Sequence, residues 1–252
     1  MKLQNKTFIV TGATSGMGKA IAIHFAKAGA NIIANGRNEN KGEKLLAELQ
    51  EIHSGAHFVT GDVGKANVNE QLVHQANKYF GQLDGIVANA GTLGLGSVSE
   101  LAAKEWHHTF DTNLHSFFYL SKYAIPHLQQ QKGVIISNAS IAACKSFPNH
   151  PAYCASKAAM VALVKQMALD YGPDIRVNAI CPGPVDTPLI WDSAKAFPEP
   201  DKIVDEVANN TLMKRLGTPD DIAELALFLA SNQSSWMTGV AVTIDGGIMA
   251  SR

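Results

Sequence analysis

The sequence is poor in cysteine, in net charge and in long hydrophobic runs. Its three cysteines form no CxxC pair and no regular framework, which argues against a disulfide scaffold and favours free thiols in a reducing compartment. A formal net charge of −1 provides no broad basic field for nucleic acid or for an acidic membrane surface. No apolar run approaches the ~20 residues that a membrane-spanning helix needs.

The N-terminal segment also lacks two targeting signals, the apolar h-region of a signal peptide and an Arg-rich transit pattern. We therefore expect a cytoplasmic protein whose partner is a small molecule, with neither nucleic acid nor membrane as a partner. With 46% hydrophobic and 17% charged residues, the composition is typical of a sheet that is covered on both faces.

Short apolar runs rich in β-branched residues alternate with longer amphipathic stretches, which is typical of βα units around a parallel sheet. The predicted strands are Thr7–Val10, Asn31–Ala34, His57–Thr60, Gly85–Ala88, Val134–Ser137, Arg176–Ile180 and Ala241–Ile244. The predicted helices lie near Gly18–Ala28, Asn40–Ile52, Asn67–Phe80, Ala103–Gln130 (one helix or two), Ala152–Tyr171 and Pro219–Ser231. The alternation predicts an α/β fold, a Rossmann-like doubly wound seven-stranded parallel sheet with helices on both faces, in a single domain over residues 1–252.

One segment, residues 182–216, departs from this alternation because it contains five prolines. Long irregular segments in a compact domain are usually functional lids or disordered loops. Trp191 and Phe197 would need something to cover, so we favour a lid over the substrate at about residues 184–216.

A glycine-rich turn, Thr11-Gly12-Ala13-Thr14-Ser15-Gly16-Met17-Gly18, follows the first predicted strand. Its three glycines permit a sharp turn and a close approach of backbone N–H groups to a pyrophosphate. The turn leads into a helix, whose N-terminal dipole favours negative charge. In this position the turn indicates a dinucleotide-binding site.

The glycine spacing, Thr-Gly-x-x-x-Gly-x-Gly, resembles that of the classical short-chain dehydrogenase/reductase family. The resemblance continues in the family's order through Asp62-Val63, Asn89-Ala90-Gly91, Asn113, Ser140, Tyr153-x-x-x-Lys157, Pro182-Gly183 and Asp245-Gly246-Gly247. It implies that Asp62 and Val63 hold the adenine and that Thr187 meets the nicotinamide carboxamide. It also implies that the protein is a homotetramer.

The end of the second strand reads Ala34-Asn35-Gly36-Arg37-Asn38. An acidic residue here would bind the ribose 2′-hydroxyl of NAD, whereas an arginine accommodates the 2′-phosphate of NADP. Without a carboxylate at Asn35 or Gly36, and with Arg37 following, NADP(H) is favoured over NAD(H). The uncharged Ser15 argues the other way, because NADP-dependent members of the family often carry a basic residue there.

Together, these arguments predict one set of cofactor-binding residues. They are Gly12, Thr14, Ser15, Gly16, Met17, Gly18, Arg37, Asn38, Asp62, Val63, Asn89, Ala90, Gly91, Tyr153, Lys157, Pro182, Gly183, Val185 and Thr187.

Tyr153 and Lys157 stand four residues apart in a helical pattern, so they share one face of the helix. A tyrosine with a pKa near ~10 transfers protons poorly at neutral pH, and two cations, Lys157 and the oxidised nicotinamide, are expected to bring that pKa nearer to neutrality. Ser140 falls at the end of a predicted strand, where it is expected to hydrogen-bond the substrate oxygen. The family resemblance adds Asn113, as the holder of a water in a proton relay with Lys157.

Nine histidines show no metal-ligand spacing with carboxylates, so no metal is predicted. His150 has two open interpretations, a place facing the substrate or a place on the surface. By resemblance, the pocket walls come from Thr92–Gly96, Ile141–His150 and Pro184–Leu212. Their large apolar side chains are Leu93, Leu95, Ile141, Phe147, Leu189, Ile190 and Trp191.

This apolar lining favours a hydrophobic ketone or secondary alcohol as substrate. One alternative is a 3-oxoacyl thioester on carrier protein, although Gln131-Lys132 and Pro173-Asp174 stand where such reductases carry basic residues. Another is a non-catalytic NADP(H) sensor, against which the intact Ser140, Tyr153 and Lys157 argue. A sugar-nucleotide epimerase is disfavoured by chain length and glycine spacing.

Overall fold

Seven parallel strands form one sheet in the computed structural model, which describes residues 1–250. In chain order they are β1 (Thr7–Val10), β2 (Asn31–Gly36), β3 (Ala56–Thr60), β4 (Gly85–Ala88), β5 (Val134–Asn138), β6 (Arg176–Pro182) and β7 (Ala241–Ile244). Each strand forms within two residues of its predicted bounds. The predicted fold class is confirmed.

The strand order across the sheet is β3-β2-β1-β4-β5-β6-β7, and all neighbours pair in parallel. The chain therefore winds outward from β1 in one direction and, after crossing to β4, in the other. Connections from the carboxyl ends of β1 and β4 leave in opposite directions, which opens a crevice between them. Ligands of doubly wound folds bind at such a switch point.

Nine α-helices accompany the strands within residues 1–250. They are α1 (Gly16–Lys27), α2 (Glu39–Ile52), α3 (Ala66–Phe80), α4 (Ala103–Phe110), α5 (Ser116–Gln131), α6 (Pro151–Tyr171), α7 (Pro188–Ala194), α8 (Pro200–Asn210) and α9 (Pro219–Ala230). The stretch predicted as one helix or two over 103–130 is two, α4 and α5, joined by a π-helical turn at Asp111–His115.

Two hydrophobic clusters cover the two faces of the sheet. Successive strand side chains point to opposite faces, so Phe8 and Val10 belong to one cluster and Ile9 to the other. Helices α1, α2 and α9 cover the first face, and α3, α5 and α6 the second. Phe25 of α1 packs edge-on against Phe8, with ring centroids 4.9 Å apart. This packing holds the last turn of α1 against the start of β1.

The expectation of irregular chain over residues 182–216 is wrong, because α7 and α8 form there. Two of the five prolines begin these helices: Pro188 is the first residue of α7 and Pro200 the first of α8. Proline fits the first turn of a helix, where its missing N–H has no intrahelical partner to lose.

Candidate active site

The turn between β1 and α1 brings backbone segments closer together than side chains would permit. Gly12 has a positive φ of 62°, and a Cβ there would lie 2.9 Å from the Cα atom of Ala90. A Cβ on Gly18 would lie 2.3 Å from the Gly12 carbonyl oxygen and 2.3 Å from Nδ2 of Asn89. These two glycines are therefore needed for packing of the turn against α1 and the end of β4.

Helix α1 begins without a side-chain cap. Ser15 is the N-cap residue, yet its side chain accepts no hydrogen bond from the helix, and the first turn contains no acidic residue. Gly16 follows with a φ of 52°. Since no side chain occupies the N–H groups at this end, the helix offers them to an anion, and its dipole favours negative charge. The residues present fit the pyrophosphate of a dinucleotide.

The Asn89-Ala90 turn after β4 is tied to β1 by hydrogen bonds. The N–H groups of both residues donate to Oγ1 of Thr11, at 3.1 and 3.2 Å. Asn89 Nδ2 donates to the Thr11 carbonyl at 3.0 Å, and its Oδ1 accepts from Nδ2 of Asn138 at 2.8 Å. The side chain of Asn89 thus joins the ends of β1, β4 and β5, and so fixes the shape of the crevice floor.

The end of β2 presents one unpaired cation. Asn35 is buried and donates to the carbonyls of β3 and the following turn, so its amide group is satisfied within the protein. Gly36 packs on Thr14, whose Cγ2 would lie 2.5 Å from a Cβ at that position. Arg37 is exposed and forms no hydrogen bond or ion pair with any residue between 1 and 250. Its guanidinium is free to bind a ligand anion.

Asn38 and Asp62 stabilise the two loops beside Arg37. Asn38 caps α2 by accepting a hydrogen bond from Lys41 N at 2.9 Å. Asp62 accepts one from Gly64 N at 2.9 Å, immediately after β3. Val63 is buried in the core. The parallel strands β2 and β3 end at the same edge, so these residues stand next to the end of β2.

Ser140 and Tyr153 meet on one wall of a cleft at the carboxyl edge of the sheet. Ser140 caps a short 3₁₀ turn after β5, and its Oγ accepts a hydrogen bond from Ala142 N at 3.0 Å. Tyr153 lies in the first turn of α6. Burial raises the pKa of Tyr153 to about 12, against the opposing effect of a hydrogen bond with the Ser140 side chain. The phenol is therefore protonated at neutral pH.

Lys157 lies one helical turn behind Tyr153 and is almost fully buried. Its Nζ donates to the Asn138 carbonyl at 2.8 Å and stands 5.6 Å from the centre of the Tyr153 ring. Burial lowers the pKa of Lys157 to about 8. Among the protein's own groups, burial has the larger effect on the pKa of Tyr153, and the expected shift toward neutrality stays a prediction for the complex with oxidised nicotinamide.

Asn113 is fully buried in the π-helical turn between α4 and α5. Its Oδ1 accepts from Thr92 N at 2.8 Å, and its Nδ2 donates to Ser156 Oγ at 2.9 Å. A Cβ on Gly91 would lie 3.5 Å from Asn113 Oδ1 and 3.7 Å from Lys157 Nζ, so both polar groups approach the same point. π-Helical turns inside α-helices are frequent at functional sites.

The cleft beside Tyr153 is mainly apolar. Among the side chains predicted to line it, Leu93, Ile141, Phe147, Leu189 and Ile190 do so, together with Phe197. Leu95 and Trp191 do not. Trp191 is 42% exposed and donates to Oδ1 of Asp186. The expectation that it covers the site is wrong, because residues 189, 190, 193, 194 and 197 form the face that the α7 segment turns toward the cleft.

His150, for which the sequence left two places open, faces the cleft and is only 3% exposed. Its ring contacts Ser193 on α7, which the sequence did not single out. Sequence reasoning also missed Ile203 and Val207 on α8. Their i, i+4 spacing is typical of one face of a helix, but the prolines around them favoured a prediction of irregular chain.

Within residues 1–250 no three His, Cys, Asp or Glu side chains are grouped to hold a metal ion. Helices long and apolar enough to cross a membrane are likewise missing from this range. The three cysteines are free thiols, with Cys181 buried, Cys144 exposed and Cys154 between them in exposure.

The fold and this constellation define an oxidoreductase of the nicotinamide-dependent class. A family model described as enoyl-(acyl carrier protein) reductase matches residues 12–249. The chain belongs to the classical short-chain dehydrogenase/reductase family, whose members use NAD(P) and act on alcohol or carbonyl groups of small molecules.

Three relatives illustrate its place in the family. The chain is 36% identical to an uncharacterized oxidoreductase of Thermotoga maritima, over 99% of this chain and 100% of that protein. It is 35% identical to a 3beta-hydroxysteroid dehydrogenase of Mediterraneibacter gnavus, over 98% and 95%. The structure of levodione reductase superposes with a TM-score of 0.95 at 29% identity, over 99% of this chain and 100% of that chain.

Proposed function

We propose that this protein transfers a hydride between NADP(H) and a hydrophobic ketone or secondary alcohol. The observation that carries the proposal is the position of Tyr153 and Ser140 on the wall of a mainly apolar cleft, at the sheet edge that also holds the glycine turn. A polar pair on an apolar wall suits a substrate with one reactive oxygen on a hydrocarbon skeleton.

Ser140 and Tyr153 act on the substrate oxygen in this proposal. Ser140 holds the oxygen by a hydrogen bond, and Tyr153 donates its proton as the carbonyl becomes an alkoxide. A pKa of Tyr153 near 12 keeps that proton on the phenol at neutral pH, as donation to a carbonyl oxygen requires. When bound, the nicotinamide supplies or accepts the hydride.

Lys157 and Asn113 support the tyrosine. The ammonium group of Lys157, held by the Asn138 carbonyl, stabilises the phenolate that remains after proton donation. By resemblance to the family it also binds the nicotinamide ribose, and Asn113 takes part in returning a proton. Asn113 acts as a positioning residue here, because both polar ends of its side chain are hydrogen-bonded within the protein.

NADP(H) rather than NAD(H) is proposed because of Arg37. Its unpaired guanidinium matches a 2′-phosphate, and no carboxylate occupies Asn35 or Gly36 to anchor a 2′-hydroxyl. The uncharged side chain of Ser15 leaves Arg37 as the main determinant. The glycine turn, residues 89–91 and residues 182–187 would hold the remainder of the cofactor.

The replacement Tyr153→Phe tests the proposed chemistry because it removes only the phenolic oxygen. With a panel of ketones and NADPH, we expect kcat to fall by about 10³-fold, in the range of general acid catalysis. Nicotinamide absorbance measures turnover, and cofactor fluorescence measures binding. Tyr171→Phe, at the far end of the same helix, is the matched control and should retain turnover. A wild-type rate in Tyr153→Phe would eliminate this mechanism.

A second candidate, reduction of acyl thioesters on a carrier protein, is suggested by the description of the matching family model. Gln131-Lys132 and Pro173-Asp174 supply little positive charge for an acidic carrier. A 3-oxoacyl group offered on carrier protein and on a small thiol separates the candidates, since a carrier-specific enzyme needs the protein. Cofactor binding with no turnover of any carbonyl would instead favour a sensor.

The proposal includes the organisation predicted from the sequence. Residues 1–252 act as one dinucleotide-binding catalytic domain, in which about 184–216 covers the substrate. Helices α7 and α8 in this segment line the cleft, which supports a covering role. A homotetramer stays part of the proposal by resemblance to the family, and a cytoplasmic location by the cysteine content, which suits a reducing compartment.

A further inference from the structure

The apolar cleft contains a second polar pair besides Ser140 and Tyr153. His150 and Ser193 both line the cleft, and Nε2 of the histidine lies 2.8 Å from Oγ of the serine. Thr187, the other hydroxyl residue on the wall, is directed to the Val185 carbonyl. The His150–Ser193 pair has no part in the proposed chemistry, and it is a polar feature in an otherwise hydrophobic region.

The hydrogen bonds of His150 determine whether the ring nitrogen that faces Ser193 donates or accepts. Nδ1 lies 2.6 Å from the Pro148 carbonyl oxygen, which can only accept, so Nδ1 carries a hydrogen. In the neutral ring Nε2 then has a lone pair, and the Ser193 hydroxyl donates to it. The Ser193 oxygen keeps its own acceptor capacity toward the cleft.

His150 is held firmly and lies near the reacting groups. The residue is only 3% exposed, and its ring centroid lies 6.4 Å from that of Tyr153 in an edge-to-face arrangement. One end of the pair is therefore fixed beside the proposed proton donor, and the other belongs to α7, which covers the cleft. Tyr153 and the His150–Ser193 pair line the same cleft, so one small molecule in it can contact both.

We propose that His150 and Ser193 recognise a second oxygen of the substrate, a hydroxyl group on the otherwise apolar skeleton of the ketone. The substrate hydroxyl donates to Ser193 Oγ, or displaces Ser193 and donates to Nε2 of His150. This inference rests on the proposed function and names its substrate class as hydroxylated hydrophobic ketones. Because the two side chains satisfy each other when the hydroxyl is missing, discrimination is moderate, about tenfold.

Pairs of ketones that differ only in this oxygen provide the test. Cyclohexanones with a hydroxyl at position 2, 3 or 4 are compared with the corresponding methylcyclohexanones, which match them in size. We expect wild-type kcat/KM to favour the hydroxyl compound about tenfold in at least one pair. Ser193→Ala and His150→Phe should each lower that hydroxyl-to-methyl ratio about tenfold, and His150→Gln, which restores an acceptor, should recover part of it.

Lys195→Ala is the matched control, since Lys195 belongs to the same segment but lies outside the cleft and pairs with Asp192. It should keep the wild-type ratio. Thermal unfolding checks that each variant folds, and Ser193→Ala removes a single atom from a partly exposed side chain.

Two results overturn the inference, and they are distinguishable. If the enzyme is active but its hydroxyl-to-methyl ratio is the same in wild type, Ser193→Ala and His150→Phe, the pair merely joins α7 to the loop before α6. If wild type consumes NADPH or NADH with none of these ketones or any other carbonyl in the panel, the proposed function itself fails.

Discussion

The carboxyl edge of the sheet has two different sides. Next to β1 and β2, glycines without side chains let backbone segments pack closely, whereas next to β5 and α6 the site consists of buried polar side chains. Gly12 and Gly18 let backbone segments meet within van der Waals limits. Ser140, Tyr153 and Lys157 instead depend on hydrogen bonds and burial. One side should therefore respond to added volume, and the other to changes in charge or in single polar atoms.

The largest expected effect comes from adding a methyl group on the glycine side. In Gly18→Ala the new Cβ would lie 2.3 Å from the Gly12 carbonyl oxygen. That oxygen belongs to the backbone, so the clash is relieved only if the glycine turn opens. We expect the free energy of unfolding to fall by about 3 kcal/mol, measured with urea, along with cofactor affinity. Gly81→Ala has a positive φ of 72° but no atom within 4 Å, so it should lose only about 1 kcal/mol. Similar losses would contradict the packing argument.

The next effect concerns the charge at the end of β2. Arg37→Asp exchanges a proposed phosphate ligand for a carboxylate, so the preference for NADPH over NADH in kcat/KM should fall about 100-fold. Lys44→Asp makes the same charge change at an exposed position on α2 and should have little influence on that ratio. An unchanged preference in Arg37→Asp would remove the basis for assigning NADP(H).

On the polar side, stability is expected to depend on pH through Lys157. Its pKa is about 8 in the folded protein and 10.5 in the reference state, so the unfolded chain binds more protons between these values. The contribution of Lys157 to stability is thus lowest near pH 7 and rises by about 2 kcal/mol toward pH 10.

Lys157→Met should abolish that rise, so the free energy of unfolding of wild type should increase relative to that of the variant between pH 7 and pH 10. Above pH 10 the raised pKa of Tyr153 acts in the opposite sense, because the unfolded tyrosine ionises first. Urea unfolding at several pH values measures both trends. Lys165→Met, an exposed position on α6, controls for the loss of a lysine. Parallel pH curves for wild type and Lys157→Met would refute a buried ammonium group.

The smallest effect is expected at Asn38, where two substitutions distinguish a role in stability from a role in cofactor binding. Asn38→Ala removes the cap of α2 and should cost about 1 kcal/mol in the free energy of unfolding. Asn38→Asp keeps a capping oxygen and should retain stability, yet its charge should weaken NADPH binding beside Arg37. Equal NADPH affinity of Asn38→Asp and wild type would place the 2′-phosphate away from this residue.

The sheet and most helices were predictable because their signals are local. Apolar runs and helical periodicity placed all seven strands and the helices before residue 182 and after 218. The two helices α7 and α8 were not predicted, because proline is common both in loops and at the first position of a helix. Their prediction needed the apolar i, i+4 spacing of Ile203 and Val207 to outweigh the prolines.

For the site, the sequence alone determined the phosphate-binding turn and the shared helix face of Tyr153 and Lys157, since glycine spacing and a four-residue step are properties of a short segment. Only the tertiary structure decided the pKa of Tyr153, the outward direction of Trp191 and the contact between His150 and Ser193. Those depend on burial and on contacts between distant segments, 43 residues apart for that pair. No local pattern encodes how deeply a side chain is desolvated or which partner faces it.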